Sequence, residues 1–332
     1  MRTLFALFLL LSLPPIAIQA DDESHKAISK GLAILQKGAD SYPANRDCFA
    51  CHHQTMPLLA FVEARKVGHE VSDETYIEQA VFTHNFFKDR TETVSKGQGV
   101  GGRAMTASYA LWTLDLDKRE SDPVSNALTS YLVNRQEKDG RWRVPSYRPP
   151  MEQSNMMITF LATYYMNEFV TDDNREKVNA SVLKGLRWLA TSKPETQEDL
   201  NARLWTAKEF GRRMETAKID SESVESIREK ILSKQREDGG WPQEPGMESD
   251  AYGTGQTLFI LADTGLKNEH PAIQRARDYL LKTQFEDGSW FVKTRAKPVQ
   301  KFFDNGDPHG KSQFLSFAAT GWAVAALCKT ED

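Results

Sequence analysis

The residues of this 332-residue chain that most directly carry chemistry are Cys48-Phe49-Ala50-Cys51-His52. Two thiols three positions apart, followed at once by an imidazole, have the spacing of a covalent c-type haem attachment site. The thiols reach the two vinyl groups on one porphyrin edge, and the next residue sets its imidazole on the iron axis. Other readings of the same side chains stay open: a strained local disulfide, a redox dithiol, or a Zn or Cu site completed by His53 and a further residue. No thioredoxin-like βαβ pattern surrounds the motif. The third cysteine, Cys328, lies near the end of an apolar helix and reads as a buried apolar residue, so three cysteines make no disulfide framework. One carboxylate also attracts notice. Asp250, in Glu248-Ser249-Asp250-Ala251-Tyr252, stands at the head of an apolar helix. A general acid there needs an apolar pocket to raise its pKa; an N-cap needs only its position, and is the favoured reading.

The compartment agrees with the motif. Arg2, an apolar run from Leu4 to Leu13, Pro14, Pro15 and a small residue at Ala20 precede the acidic Asp21-Asp22-Glu23. This is the pattern of a secretory signal peptide over residues 1–20. The run is shorter than the ~20 apolar residues a span requires, and no later segment is apolar enough to span. The expected product is a periplasmic or secreted protein with no membrane span after cleavage, and haem is attached to c-type sites outside the cytoplasm. The formal net charge of −4, with no long basic run, argues against a nucleic-acid partner.

The elements that must position these residues form a repeat. Gln136-Glu-Lys-Asp-Gly140-Arg-Trp142, Gln235-Arg-Glu-Asp-Gly239-Gly-Trp241 and Gln284-Phe-Glu-Asp-Gly288-Ser-Trp290 share the pattern Q-x-x-D-G-x-W. The last two copies lie one period apart and the first two lie two periods apart. The helix Val182–Leu189, followed by the decayed turn Thr191–Pro194, fills the gap. Each leading helix is amphipathic. Each following helix, at 56–65, 104–114, 155–168, 202–210, 253–262 and 313–327, is apolar nearly all round and therefore buried. Asp-Gly and Gly-Gly supply the positive φ of a tight turn. Six pairs with a buried inner member predict an all-α, (α/α)6 toroid over residues 21–332.

The Q-x-x-D-G-x-W copies resemble the QW motifs of squalene-hopene cyclases and related triterpene cyclases. That resemblance implies the α/α toroid shared with protein prenyltransferase β subunits and thioester-containing complement-like proteins. It implies less about activity. Those cyclases have two toroids and this chain has room for one. The D-x-D-D motif that supplies their acid has no counterpart here: Leu114-Asp115-Leu116-Asp117 lies at the wrong end of an inner helix. The zinc ligands of the prenyltransferases would come from later repeats, whereas the Cys/His cluster here is in the first. The resemblance to c-type cytochromes is confined to residues 48–52.

In the repeat register all inner-helix heads open on one mouth: segments 48–54, 97–103, 151–155, 198–203, 248–252 and 307–312. Repeat six closes against repeat one there. His309 is therefore the nearest candidate sixth ligand for a haem on His52, with His53, Met56 and Met105 as alternatives and His84, on an outer helix, ranked lower. Arg103, Arg203 and Lys311 approach the same mouth and could pair with propionates. Gly97-Gln-Gly-Val-Gly-Gly102 follows a helix, not a strand, and reads as a turn rather than a dinucleotide loop. The leading expectation is an exported haem-c toroid with a redox partner and an electron-transfer role. The alternatives are a cyclase-like or metal-dependent enzyme acting on an apolar small molecule, and a non-catalytic binding module.

Overall fold

A computed structural model describes residues 16–297 and 301–331, with side chains from residue 22 onward. Most of the expected signal segment, residues 1–20, lies outside the described residues. The chain alternates outer and inner helices. The outer set is α1 (Ile16–Asn45), α3 (Asp73–Lys88), α6 (Pro123–Arg135), α8 (Arg175–Thr191), α10 (Val224–Leu232) and α12 (Pro271–Thr283). The inner set is α2 (Thr55–Lys66), α5 (Arg103–Leu116), α7 (Asn155–Glu168), α9 (Gln197–Thr216), α11 (Ala251–Asp263) and α13 (Gln313–Lys329). A short α4 (Thr91–Ser95) follows α3. No strand occurs among the described residues; an isolated bridge joins Arg148 to Glu152.

Local chemistry sets the helix starts. Asp122 accepts hydrogen bonds from the backbone of Val124 and Ser125, and Ser125 returns one to the Asp122 backbone, with Pro123 fixing the first helical φ. Thr196 and Asp199 make the same reciprocal box at α9. Ser72, Ser154, Ser223 and Asp250 each accept from a first-turn amide.

The ring closes. Each inner helix packs on the next, α2 on α5, α5 on α7, α7 on α9, α9 on α11, α11 on α13, and α13 returns to α2. Small residues allow the closest approaches. A Cβ at Gly321 would lie 3.1 Å from Met56, and one at Gly255 would lie 2.9 Å from the Trp322 backbone.

The three Q-x-x-D-G-x-W turns are identical staples between successive outer helices. Gln136 Nε2 donates to Gly140 O at 2.8 Å and to Ser181 O of α8 at 2.9 Å. Gln235 repeats this with Gly239 O and Ala272 O of α12, both at 2.8 Å. Gln284 repeats it with Gly288 O at 3.0 Å and Ala27 O of α1 at 2.8 Å, across the junction of the chain's two ends. Trp142, Trp241 and Trp290 are fully buried, and each indole donates to the last turn of its own leading helix, at Leu132, Ile231 and Leu280. The glycine is obligatory for two reasons. Gly140, Gly239 and Gly288 have φ of 104°, 90° and 95°, and a Cβ would strike the carbonyl oxygen of Lys184, Arg275 or Lys30 at 2.3–2.5 Å.

The lower bore is filled. Trp112, Tyr165, Trp205, Phe259 and Trp322, from α5, α7, α9, α11 and α13, converge with ring centroids 5.7–6.4 Å apart. Phe160 stacks on Trp205 at 5.2 Å and on Tyr164 at 5.7 Å. These rings bury large apolar area in edge-to-face and offset contacts. Nearer the inner-helix heads, Glu198, Asn201, Tyr252 and Gln256 form a buried hydrogen-bonded network.

Candidate functional site

The Cys48–His53 turn sits at the mouth and runs directly into α2. The Ala50 carbonyl accepts from the amides of His53 and Gln54, both at 3.0 Å, and the Cys51 carbonyl accepts from Thr55 and Met56, both at 3.1 Å. Tyr42 of α1 anchors its start, donating to the Cys48 carbonyl at 2.9 Å with its hydroxyl 3.6 Å from Cys48 Sγ. Cys48 is half-buried and Cys51 buried, and both thiols are free. Burial, reinforced by the nearby Glu152 carboxylate, pushes the Cys51 thiol up to about 12. It is therefore a neutral thiol rather than a reactive thiolate. Cys51 Sγ lies 4.0 Å from His52 Nδ1. Burial, with the Arg148 charge, lowers His52 to about 4, so its imidazole is neutral.

His53 is a structural wedge. Its ring stacks between Tyr42 at 4.4 Å and Phe317 at 4.9 Å, and Asn305 Nδ2 lies 3.0 Å from its Nε2. Its Nδ1 is buried without a partner, and burial keeps the ring neutral. Asn305 continues the contact into the last repeat: its amide accepts from the Asp307 backbone, and Asp307 accepts from the His309 backbone.

The 48–54 turn meets the last repeat through His53 and Asn305, two residues ahead of the expected 307–312 segment. His309 faces elsewhere, with Nε2 2.8 Å from Ser289 Oγ and its ring against Phe285 and Phe291 at 5.1 and 5.2 Å. Met56 and Met105 are buried in α2 and α5, Met56 beneath Gly321. His84 pairs with Asp122 between outer helices, Nε2 to Oδ2 at 2.7 Å. Arg203 turns to the end of α8, donating to the carbonyls of Leu189 and Ser192, and Arg103 is exposed. Arg148, which the sequence did not single out, is the cation whose charge reaches both Cys51 and His52. Asp250 is the N-cap of α11, accepting from Gly253 at 2.9 Å; burial raises it to about 6.

The carboxylate with the sharpest chemistry is Glu198, in the first turn of α9. It is 6% exposed. Burial, with Asp199 beside it, raises it to about 8, against hydrogen bonds that pull the other way. Tyr252 and Gln256, one turn apart on α11, both donate to its Oε1, at 3.2 and 2.9 Å. No hydrogen bond among the described residues reaches Oε2. The Gln256 amide is oriented by Asn201, whose Nδ2 donates to Gln256 Oε1 at 3.0 Å and to Thr257 Oγ1 at 3.1 Å. Asp199 next door is instead saturated, by Ser154 at 2.5 Å and by the amides of Glu195 and Thr196 at 3.0 Å. Of two adjacent acids, one is held by three donors and the other, Glu198, is pushed by burial toward its protonated form.

A narrow cleft lined by Pro150, Gln153, Gln243, Tyr252 and Gln256 reaches Glu198, with space of about 10 Å³, close to one water molecule. Above it, Arg295 ties three loops together by donating to Glu244, Gln243 and Gln153. Gln54 Nε2 is a buried donor without a partner among the described residues. Sequence reasoning placed residue 198 at the mouth yet missed its role. An acid in a first helical turn is ordinary dipole complement, and only the approach of α11 makes this one unusual.

Residues 169–332 match the profile of the squalene-hopene cyclase C-terminal domain. No curated protein matches the chain. Among solved structures, a variant of the type II terpene cyclase MstE from Scytonema, bound to its substrate geranylgeranyl dihydroxybenzoate, is similar over 95% of this chain and 99% of that one, at TM-score 0.55 and 14% identity. A protein from Actinoplanes is similar over 93% and 100%, at TM-score 0.54 and 13% identity. A possible GH105 family member from Salmonella enterica is similar over 99% and 98%, at TM-score 0.52 and 14% identity. The chain shares their helical toroid fold, a fold that carries more than one chemistry.

Proposed function

We propose that this protein is an enzyme of terpene-cyclase type that takes an apolar, alkene-bearing small molecule at the toroid mouth and activates it by proton transfer from Glu198. The observation that carries this reading is the protonated carboxyl at the end of the cleft, with both fixed donors on Oε1 and Oε2 left to hold the proton. Transfer of that proton to an alkene carbon leaves a cation on the substrate and a carboxylate on Glu198. Tyr252 and Gln256, already donating to Oε1, stabilise the carboxylate as it forms. The profile match and the substrate of the Scytonema enzyme support an isoprenoid chain as the apolar part. The cleft as it stands has room for about one water molecule, so an isoprenoid end reaches Glu198 only when the loops carrying Gln153 and Gln243 move aside.

The test is a panel of linear isoprenoids and prenylated aromatics incubated with the full chain, with products resolved by mass spectrometry. Glu198→Gln keeps the shape and removes the acid, so product should fall by about 10²–10⁴-fold. The reaction should also fail as pH rises past about 8. Turnover unaffected by Glu198→Gln would end the reading.

A second reading is favoured by the motif turn itself: two unbridged thiols and a neutral imidazole on the short segment before α2 form a donor set of the kind covalent haem c uses. Cys48 and Cys51 would hold the porphyrin edge and His52 the iron, with His309, His53 or Met56 as the sixth ligand after local rearrangement. The group would supply one-electron chemistry. Expression with a cytochrome c maturation system and a pyridine haemochrome spectrum tests it, since Cys48→Ser with Cys51→Ser must abolish any covalent haem. Absence of covalent haem from the parent chain would remove the reading.

A further inference from the structure

A second cluster lies away from the mouth, at the other end of α2. His25 of α1, His69 in the turn between α2 and α3, and Glu331 after α13 offer three ligand atoms within 4.8 Å of one another. Glu331 Oε2 is 3.1 Å from His69 Nε2, and Oε1 is 3.8 Å from His25 Nδ1. The two imidazoles stack at 4.1 Å. His69 Nδ1 faces Ser29 Oγ at 3.5 Å, a hydroxyl that can accept from Nδ1–H when a cation takes Nε2.

A hydrogen-bonded histidine–carboxylate pair needs one imidazole. Here two converge on one carboxylate, and the second, at 3.8 Å, is too far for a hydrogen bond of its own. Four ligands at about 2.0–2.1 Å from a tetrahedral ion stand about 3.3 Å apart, close to the spacing already present. His69 is 2% exposed and Glu331 10%, so two ligands are anchored; His25, at 59%, is free to close the set. We propose that His25, His69 and Glu331 bind a divalent cation of the zinc class, with solvent completing the shell, and that this ion pins the two ends of the chain together at the ring junction. Two imidazoles and a carboxylate favour zinc over magnesium or calcium, which take oxygen ligands. The site is independent of Glu198 and of the cysteine motif.

The test uses the purified full chain carrying Cys48→Ser and Cys51→Ser, so that the mouth cannot supply thiolates. After treatment with EDTA it is titrated with Zn²⁺ alone, by calorimetry and by thermal melting. The expected result is one ion per chain and a melting temperature several degrees higher at saturating zinc. Zinc at a hundredfold excess over its Kd shifts the folding equilibrium about 100-fold. His25→Ala, at an exposed position, should leave the metal-free melting temperature unchanged and weaken zinc binding at least tenfold. Glu331→Gln should do the same to binding. No zinc-dependent rise in the chain carrying Cys48→Ser and Cys51→Ser, or His25→Ala binding zinc as tightly as its parent, would overturn the proposal.

Discussion

Replacing Gln284 with alanine tests ring closure directly, because its side chain is one of the bonds that make the chain a ring rather than a superhelix. Its Nε2 donates to Gly288 O within its own turn and to Ala27 O on α1, 257 residues away. Removing the amide leaves two partly buried carbonyls without this donor. At about 1 kcal/mol for each neutral hydrogen bond, the loss is about 2 kcal/mol. In a chain of this length that lowers the melting temperature by roughly 3–6 °C. Gln136→Ala is the matched control. It loses the same two bonds, to Gly140 O and Ser181 O, in the middle of the array. Urea unfolding of both variants should show equal drops in midpoint with unchanged slopes. A cost near 2 kcal/mol for Gln136→Ala beside less than 0.5 kcal/mol for Gln284→Ala would refute closure.

Other perturbations separate the remaining physical claims. Glu198 binds a proton more tightly folded than unfolded, at about 8 against 4.5; its contribution is present below pH 4.5 and lost as pH climbs through about 8. Denaturation midpoints should therefore fall across that window by an amount on the order of a few kcal/mol, and Glu198→Gln should flatten the fall. Gly288→Ala, with φ of 95° and a Cβ 2.5 Å from Lys30 O, should cost more than 2 kcal/mol, while Gly68→Ala, with φ of 87° but open space, should cost about 1 kcal/mol in the same melts. Trp322→Ala removes a fully buried ring from the floor of the bore and should destabilise by about 3–5 kcal/mol while deepening the mouth, read as gained binding of small hydrocarbons.

The fold was legible because its signal is repeated. Gln, Gly and Trp recur at the positions where a staple, a positive φ and a buried indole are needed, and the inner helices are apolar all round. The inner helix expected at 155–168 is α7 to the residue, and the others agree within a few positions or, at α9, lie inside a longer helix. The sites were less legible because they are made by pairs of segments. The register expected the 48–54 turn beside the 307–312 segment, but it could not show that His53 would fill the space between Tyr42 and Phe317, or that Ser289 would take His309. Glu198 was hidden for the same reason: its unusual state comes from Tyr252 and Gln256, 54 and 58 residues away. Nothing in their own sequence neighbourhoods ties His25, His69 and Glu331 to one another.

The junction between repeats six and one carries the same Gln staple as the rest of the array, yet its two sides belong to opposite ends of the chain. There α2 packs on α13 and α1, and each end of α2 carries a cluster of histidines: His52 and His53 before it, His69 after it. Twelve helical residues set the two clusters about 18 Å apart, too far for one ligand and close enough for one rigid element to hold both. A change that loosens α2 against α13, such as a side chain larger than hydrogen at Gly321, where a Cβ already meets Met56 at 3.1 Å, should disturb the cysteine turn and the His69 cluster together. Glu198, held between α9 and α11 on the other side of the bore, should keep its titration.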